Sequence, residues 1–395
     1  MSSIKAQTLK GFRDFLPSEA RKRQFVVNAL KKVFESYGFE PLETPSLEYE
    51  EILLGKYGSE GDKLMYRFED NGKRRVALRY DQTVPLARVV AQYQNQLPML
   101  FKRYQIQNVW RAENTQKGRF REFLQCDIDT VGTSSPLSDT EIIEVAATSL
   151  KALGFKDFKI LINDRKNFDK LDKKAISIID KLAKIGEDKV KIYLKEEEID
   201  DKTLEKVKNM PITEELKNIA GLLEKIKIEF SPTLARGLDY YTGLIFEIEI
   251  EGYSAGSVCG GGRYDNLIGL FANKQVPAVG CAFGFDRLME AMDQLNLFPK
   301  DLQTTKVLVT IFSPELVQQS INCTTVLRSA KVSTELYLDP NAKLEKQMKY
   351  ADTKGIPYAV IIGPDEAKNK TVTLKNLKTR EQKTISNGKI IEELS

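Results

Sequence analysis

The stretch that decides the fold is Leu100 to Gly132, LFKRYQIQNVWRAENTQKGRFREFLQCDIDTVG. LFKRYQIQNVWRAE and REFLQCDIDTVG have the aromatic and β-branched content of two strands, and the polar segment NTQKGR reads as the loop between them. Arginines cluster where this hairpin turns. Arg111 ends the first apolar strand, and Arg119 and Arg121 leave the loop and enter the second. A guanidinium at a semi-buried strand end requires an anionic partner. Two more arginines stand in comparable places. Arg236 lies in LARGLDYYTG, Leu234 to Gly243, and Arg287 opens a helix after GCAFGFD. Glu113, Asp239 and Asp286 are neighbouring acids that could pair with them, and an Arg236–Asp239 ion pair is the plain structural reading of the second segment. Several converging guanidiniums with few matching acids point instead to a polyphosphate.

Upstream of the hairpin, PSEARKRQFVVNALKKVFESYGF predicts a helix. Phe25, Val26, Leu30, Val33, Phe34 and Tyr37 fall on one face, with Ser18 as candidate cap and Gly38 as stop. KLMYRFEDNGKRRVALRY predicts a β-hairpin about Asn71-Gly72, and QTVPLARVVAQYQ a short helix. Downstream, SDTEIIEVAATSLKAL predicts an amphipathic helix capped by Ser138, Asp139 or Thr140. Residues 163–227 turn rich in Lys, Glu, Asp and Ile with helical period, which predicts a helical insertion. Strand grammar returns near Ile226. SAGSVCGGGRYDNLIGLF reads as a glycine-rich turn into a helix, and AVGCAFGFDRLMEAMDQL as a strand feeding a helix. After the linker NLFPKDLQTT, strand and helix signals alternate as β-α-β-α-β, with helices from Pro314 and Asn341. That is the pattern of a separate domain with a mainly parallel sheet. The expected architecture is therefore α+β over 1–300, built on an antiparallel sheet, followed by an α/β domain over 304–395.

Composition narrows the chemistry. The 395 residues contain no histidine, which excludes imidazole bases, Ser-His-Asp triads and histidine-ligated metals. Four cysteines without a Cys-x-x-Cys argue against a zinc site or a disulfide framework. The sequence holds no phosphate-binding Gly-x-x-x-x-Gly-Lys-Ser/Thr loop and no Gly-x-Gly-x-x-Gly after a strand, so a bound nucleotide would be held by arginine clamps on an antiparallel sheet. GGGR at 260–263 reads more simply as a structural turn than as a phosphate cradle. The net charge of +4 permits a nucleic-acid partner without requiring one, and the excess lies in the C-terminal stretch. No apolar run reaches membrane-spanning length, and MSSIKAQTLKGFRDF carries no apolar signal core; the expected location is cytoplasmic.

Taken together, these segments resemble the class II aminoacyl-tRNA synthetases. RAENTQKGRFREF is similar to their motif 2, AVGCAFGFDRLMEAM to motif 3, and GFEPLETPSLEY to motif 1, whose Pro45 lies at the homodimer interface in that class. ARGLDYYTG and GGGRYDNL resemble two segments peculiar to the histidyl-tRNA synthetases, and LRYDQTVPLAR and REFLQCDIDTVG match the same family. The resemblance covers essentially the whole chain, including a C-terminal domain like those that bind anticodons. It implies a ligase that joins L-histidine to tRNA(His) with ATP and Mg²⁺, through histidyl-adenylate.

By resemblance, Arg111 would grip the α-phosphate of ATP with Arg236 opposite it, and Glu113 would orient the adenine amine. Arg119 and Arg287 would hold the γ-phosphate end. Phe123 either stacks on adenine or is an ordinary strand residue. Asp129 and Tyr241, with Tyr240 beside them, match the positions that read the imidazole. Asp81, Thr83 and Gln125 match those that hold the α-ammonium. Asp81 and Asp129 stand where bacterial members often carry glutamate, which shortens the reach by one methylene. In the motif 2 loop, Gln116 and Lys117 either contact the tRNA acceptor end or form a solvated tip. Protein ligands for the metal are not assigned. With histidine absent, the adenylate phosphate is expected to assist the tRNA hydroxyl in the second step. The competing reading is a non-charging regulatory subunit or tRNA sensor of the same ancestry; the intact arginines and the C-terminal domain speak against it.

Overall fold

A computed structural model describes residues 4–394, apart from 57–61, 99, 115–119, 201, 237–239 and 273. The chain divides into two compact units, Met1–Phe298 and Pro299–Ser395. Among the described residues, no helix is long and apolar enough to cross a membrane.

The first unit is built on an eight-stranded sheet. Its strands are β1 (Glu40–Pro41), β5 (Phe101–Trp110), β6 (Glu122–Val131), β7 (Phe158–Asp164), β8 (Ile228–Phe230), β9 (Leu244–Ile250), β10 (Cys259–Arg263) and β11 (Ala278–Gly284). They lie in the order β1-β5-β6-β11-β10-β9-β7-β8. The six inner strands pair antiparallel, while β1 and β8 at the edges run parallel to their neighbours. The Leu100–Gly132 hairpin is β5 and β6, registered from Phe101 opposite Val131 to Trp110 opposite Glu122. A smaller antiparallel sheet contains β2 (Leu47–Tyr49), β3 (Arg67–Glu69) and β4 (Arg75–Leu78), in the order β2-β4-β3.

One face of the large sheet is closed by the helices Pro17–Ser36, Pro136–Ala152 and Phe285–Gln294. Val26, Leu30, Val33 and Phe34 from the first helix join Ile142, Ile143 and Ala146 from the second and Leu288 and Met292 from the third in one buried cluster. That burial is the driving force expected for amphipathic helices on a sheet. Two cap assignments are corrected. The first helix begins at Pro17 with Leu16 before it and no side-chain cap, because proline at the first position already fixes the backbone. The Pro136–Ala152 helix is capped by Ser135, whose hydroxyl accepts from the Leu137 amide at 3.3 Å. Ser138 and Asp139 lie one turn further in, where both accept hydrogen bonds from the buried Arg263 guanidinium, at 3.0 Å to Ser138 Oγ and 3.0 Å to Asp139 Oδ1.

The helical insertion runs between β7 and β8, so residues 163 and 164 belong to the strand rather than to it. Its helices bury their own cluster around Ile179, Val190, Leu194, Leu204 and Val207, which extends to Ala235 and Tyr241 of the first unit's body. Several of its lysines pair with its own acids, including Lys174 with Glu197 at 2.6 Å and Lys191 with Glu187 at 2.7 Å.

The second unit holds β12 (Val307–Val309), β13 (Thr334–Leu336), β14 (Tyr358–Ile361), β15 (Thr371–Asn376) and β16 (Gln382–Ser386), in the order β13-β12-β14-β15-β16. The three strands of the β-α-β-α-β run are parallel, but β15 and β16 return antiparallel, so the sheet is mixed rather than mainly parallel. Its helices include Val317–Ser329, entered through a 3₁₀ turn at Pro314, and Leu344–Lys354, which starts three residues later than Asn341.

Candidate active site

Period-two alternation on β6 sorts its side chains. Leu124, Cys126 and Ile128 face the apolar core, while Phe123, Gln125, Asp127 and Asp129 line a cavity of about 480 Å³ on the other face. At about 3.4 Å per residue, these four positions span roughly 20 Å, from an aromatic ring at one end to a buried carboxylate at the other. Asp81 and Thr83, at the start of the Thr83–Gln92 helix, Arg111 and Glu113 beyond β5, and Arg236, Tyr240, Tyr241 and Arg287 complete the set. Every described residue among the expected site residues therefore meets in one cavity. Arg119, Gln116 and Lys117 lie outside the described residues, as does Asp239.

Two of the arginines are held without being neutralised. The Arg111 Nε donates to the Tyr80 carbonyl at 3.2 Å, and its guanidinium lies 4.4 Å from the Tyr80 ring and 5.1 Å from that of Phe123. Phe123 thus borders the cavity beneath a guanidinium rather than filling the core. Arg287 Nη1 donates to the Ser257 carbonyl at 2.7 Å. Asp286, its neighbour in sequence, is not its partner. That carboxylate accepts from Arg13 Nη2 at 2.7 Å and Arg23 Nη1 at 3.0 Å. Among the described residues, neither Arg111 nor Arg287 has a carboxylate in ion-pair range. Arg121 is structural: its Nε donates to the Glu113 carbonyl at 3.1 Å, at the base of the loop.

Arg236 pairs with Glu247 at 2.9 Å and passes directly over β10. A Cβ on Gly260 would stand 1.8 Å from Arg236 Nη1, so only glycine leaves room for that side chain. GGGR is a strand, not the expected turn, and its glycines serve close approach. A Cβ on Gly261 would stand 2.1 Å from the Gly280 carbonyl oxygen of the neighbouring strand. Gly280 in turn clears Asp129, with 1.9 Å between a Cβ there and the carboxylate.

The other end of the cavity is acidic and phenolic. Asp129 is 3% exposed, pairs with Arg103 at 2.7 Å and accepts a hydrogen bond from the Tyr264 hydroxyl. Burial raises its carboxyl above the ordinary range, against the pull of Arg103. Burial raises Asp127 to about 8, with Arg103 opposing and the Asp129 charge adding to the rise. The rings of Tyr240 and Tyr241 lie 4.9 Å apart, and those of Tyr240 and Tyr264 5.7 Å apart. Burial drives the phenols of Tyr240 and Tyr264 well above their usual range, so both remain neutral hydroxyls. Asp81 accepts from the Val84 amide at 3.1 Å, which orients it at the helix start.

Sequence reasoning missed Arg103, Asp127, Tyr264 and Glu247 as members of this site. Asp127 was legible: it shares the parity of Gln125 and Asp129 on one strand. Tyr264 sits inside the GGGRYDNL segment already quoted. Arg103 left a weaker trace, a lone cation at an inward position of an apolar strand. Glu247 alternates with buried apolar residues on β9, and nothing local separates it from a solvent-facing acid.

Comparisons with known proteins point to one family. The family model for histidyl-tRNA synthetase matches residues 11–175 and 163–288, and an anticodon binding domain model matches 306–395. A histidine--tRNA ligase from Cytophaga hutchinsonii is 39% identical, with 98% of each chain covered. One from Christiangramia forsetii is 38% identical over 95% of this chain and 96% of its own. Among solved structures, the histidyl-tRNA synthetase of Nostoc sp. PCC 7120 superposes with a TM-score of 0.85 at 31% identity, covering 99% of each chain.

Proposed function

The chain belongs to the histidyl-tRNA synthetase family, and on that premise we propose that it activates L-histidine with ATP, releasing pyrophosphate, and transfers the histidyl group to the 3′ end of tRNA(His). The observation that carries this reading is the sorting of charge along one cavity. Unneutralised guanidiniums, Arg111 and Arg287, line it together with a buried acid–phenol set, Asp129, Tyr241 and Tyr264.

In this reading, Arg111 and Arg236 bind the α-phosphate, and Arg119 and Arg287 hold the γ-phosphate end. The charge that develops on phosphorus during attack by the histidine carboxylate is met by cations already fixed in place, which need no reorganisation. Phe123 and Glu113 receive the adenine. Asp129 and Tyr241, backed by Tyr240, satisfy the two imidazole nitrogens. A pocket built for hydrogen bonds rejects amino acids that would leave those groups unpaired. Asp81, Thr83 and Gln125 take the α-ammonium. Mg²⁺ would neutralise the distal phosphates. Among the described residues, no three acidic or thiol groups converge on a metal position. Of the cavity carboxylates, Glu247 pairs with Arg236 and Glu113 is given to the adenine, so no protein ligand is assigned to the ion. For transfer, the adenylate phosphate serves as base toward the tRNA hydroxyl, whose acceptor strand meets Gln116 and Lys117. The second unit reads the anticodon, and the enzyme works in the cytoplasm as a homodimer.

Amino-acid-dependent exchange of pyrophosphate into ATP, run separately with each of the twenty amino acids, tests this reading. Exchange with histidine alone is expected. Exchange with a different amino acid overturns the Asp129–Tyr241 assignment, and exchange with none favours a non-charging regulatory role.

A further inference from the structure

We infer that Asp127 is a specificity-determining residue for the α-ammonium of the amino acid, acting both directly and by fixing the orientation of Gln125. This assignment rests on the histidine-activating reading above and adds a residue to it.

Three observations support it. First, the Gln125 Nε2 donates to Asp127 Oδ2 at 2.8 Å. An amide can present either its oxygen or its NH₂ group to a ligand, and the two ends have opposite recognition properties. By claiming the nitrogen, Asp127 leaves the Gln125 oxygen as the end available to a cation. Second, the other carboxylate oxygen, Asp127 Oδ1, is buried in the cavity wall with no hydrogen-bond partner among the described residues, and the residue is 2% exposed. A buried carboxylate oxygen without a donor is costly, and a ligand ammonium supplies both donor and charge. Third, Asp127 lies among like charges. Asp81, Asp127 and Asp129 stand close enough for both neighbours to act on the charge of Asp127. Arg103 lies 2.7 Å from Asp129 but 4.0 Å from Asp127. Arg236 is engaged by Glu247. A ligand bringing one positive charge next to Asp127 favours its ionised form and supplies the donor that Oδ1 lacks, and an amino acid's α-ammonium does both. Burial keeps the Asp127 carboxyl largely protonated in the empty site, so binding of the ammonium is coupled to loss of that proton.

The test compares histidine with imidazolepropionate, which has the same ring and carboxylate but no ammonium. Calorimetric Kd values are measured for both ligands with wild type, Asp127→Asn and Gln125→Met. The expected result is at least a tenfold weakening of histidine binding in Asp127→Asn, with imidazolepropionate within twofold of wild type. Gln125→Met, which removes the oriented amide, should show the same selective loss. An equal loss for both ligands in either variant means general damage to the pocket and overturns the assignment, as does undiminished histidine binding in Asp127→Asn. Wild-type protein that binds neither ligand overturns the histidine-activating reading itself, and this assignment with it.

Discussion

Asp127 and Asp129 stand two residues apart on one strand face and share one guanidinium, and the geometry is unequal. Arg103 is 2.7 Å from Asp129 and 4.0 Å from Asp127. Coulomb attraction in a poorly solvated site favours the nearer carboxylate, so the desolvation of Asp127 is offset less and its carboxyl rises to about 8 from an ordinary 3.8. Stability follows from the sign of that shift. Between about pH 4 and 8, the folded chain holds a proton on Asp127 that the unfolded chain has released. This group's contribution is therefore intact below pH 4 and is lost as pH rises, by up to about 1.4 kcal/mol per pH unit, levelling off above pH 8. Asp127→Asn removes the proton but keeps the shape. Its stability relative to wild type, from urea unfolding of the ligand-free protein, should be near zero at pH 4 and become increasingly favourable toward pH 8.5. A difference that does not change with pH would show that Asp127 is not protonated in the folded state. Asn at 127 should thus stabilise the empty enzyme while weakening its grip on histidine, the trade expected where a site keeps an unfavourable charge for function. The single residues of this site were legible to different depths. Arg111, Arg236 and Arg287 declared themselves as cations on apolar elements. Arg103 did not, because its role depends on register: β5 sets it opposite Asp129 only once the strands pair.

At the scale of elements, β10 and β11 show where local reading ends. Three consecutive glycines suggest a turn when read alone, since glycine is common where the chain reverses. Here they form a strand whose missing side chains are filled by others: Arg236 over Gly260, and the backbone of β11 against Gly261. That is a tertiary demand on the sequence, and no window of neighbouring residues contains it. It also makes a sharp prediction. Gly260→Ala places a Cβ 1.8 Å from Arg236 Nη1 and 2.8 Å from its Cζ, so the guanidinium must leave the position we propose for gripping the α-phosphate. Loss of one preorganised charge at a reacting phosphate costs on the order of 10²–10³ in rate. Rapid-quench measurement of adenylate formation should show that fall in the rate constant, while the Kd for histidine changes little and circular dichroism stays native. A normal rate constant in Gly260→Ala would remove Arg236 from the chemical step. The long helices, by contrast, were read correctly in kind and missed at their ends, while the helix expected after GGGRYDN is only a 3₁₀ turn at Ile268–Leu270. Proline at the first turn moved the start of two helices ahead of the expected caps.

At the scale of the whole molecule, strand grammar changes after the linker NLFPKDLQTT, and the chain clusters into Met1–Phe298 and Pro299–Ser395. The mixed character of the second sheet did not follow from that grammar, because the direction of β15 and β16 depends on pairing rather than on composition. Assembly is the remaining question at this scale, and the small sheet of the first unit bears on it. Leu47 and Tyr49 on β2 and Phe68 on β3 share one face, with Tyr49 and Phe68 on either side of Val76. They are 42%, 52% and 42% exposed. At the edge, Glu50 accepts from Arg67 at 3.1 Å and Arg75 at 2.8 Å. An apolar centre bordered by charged groups is the composition of a protein interface, and this segment follows the motif 1 proline, Pro45. The proposed homodimer should therefore depend on it. Tyr49→Glu combined with Phe68→Glu would place two carboxylates in the apolar centre, where each must be desolvated without a partner. Sedimentation velocity at micromolar concentration should give twice the 44.8 kDa chain mass for wild type and the single-chain mass for the double variant. The sheet itself should survive, since both side chains point away from the buried Ala77, Met65 and Leu53 that anchor it. A double variant that stays dimeric would move the interface elsewhere, and a monomeric wild type would leave this face without an isologous partner.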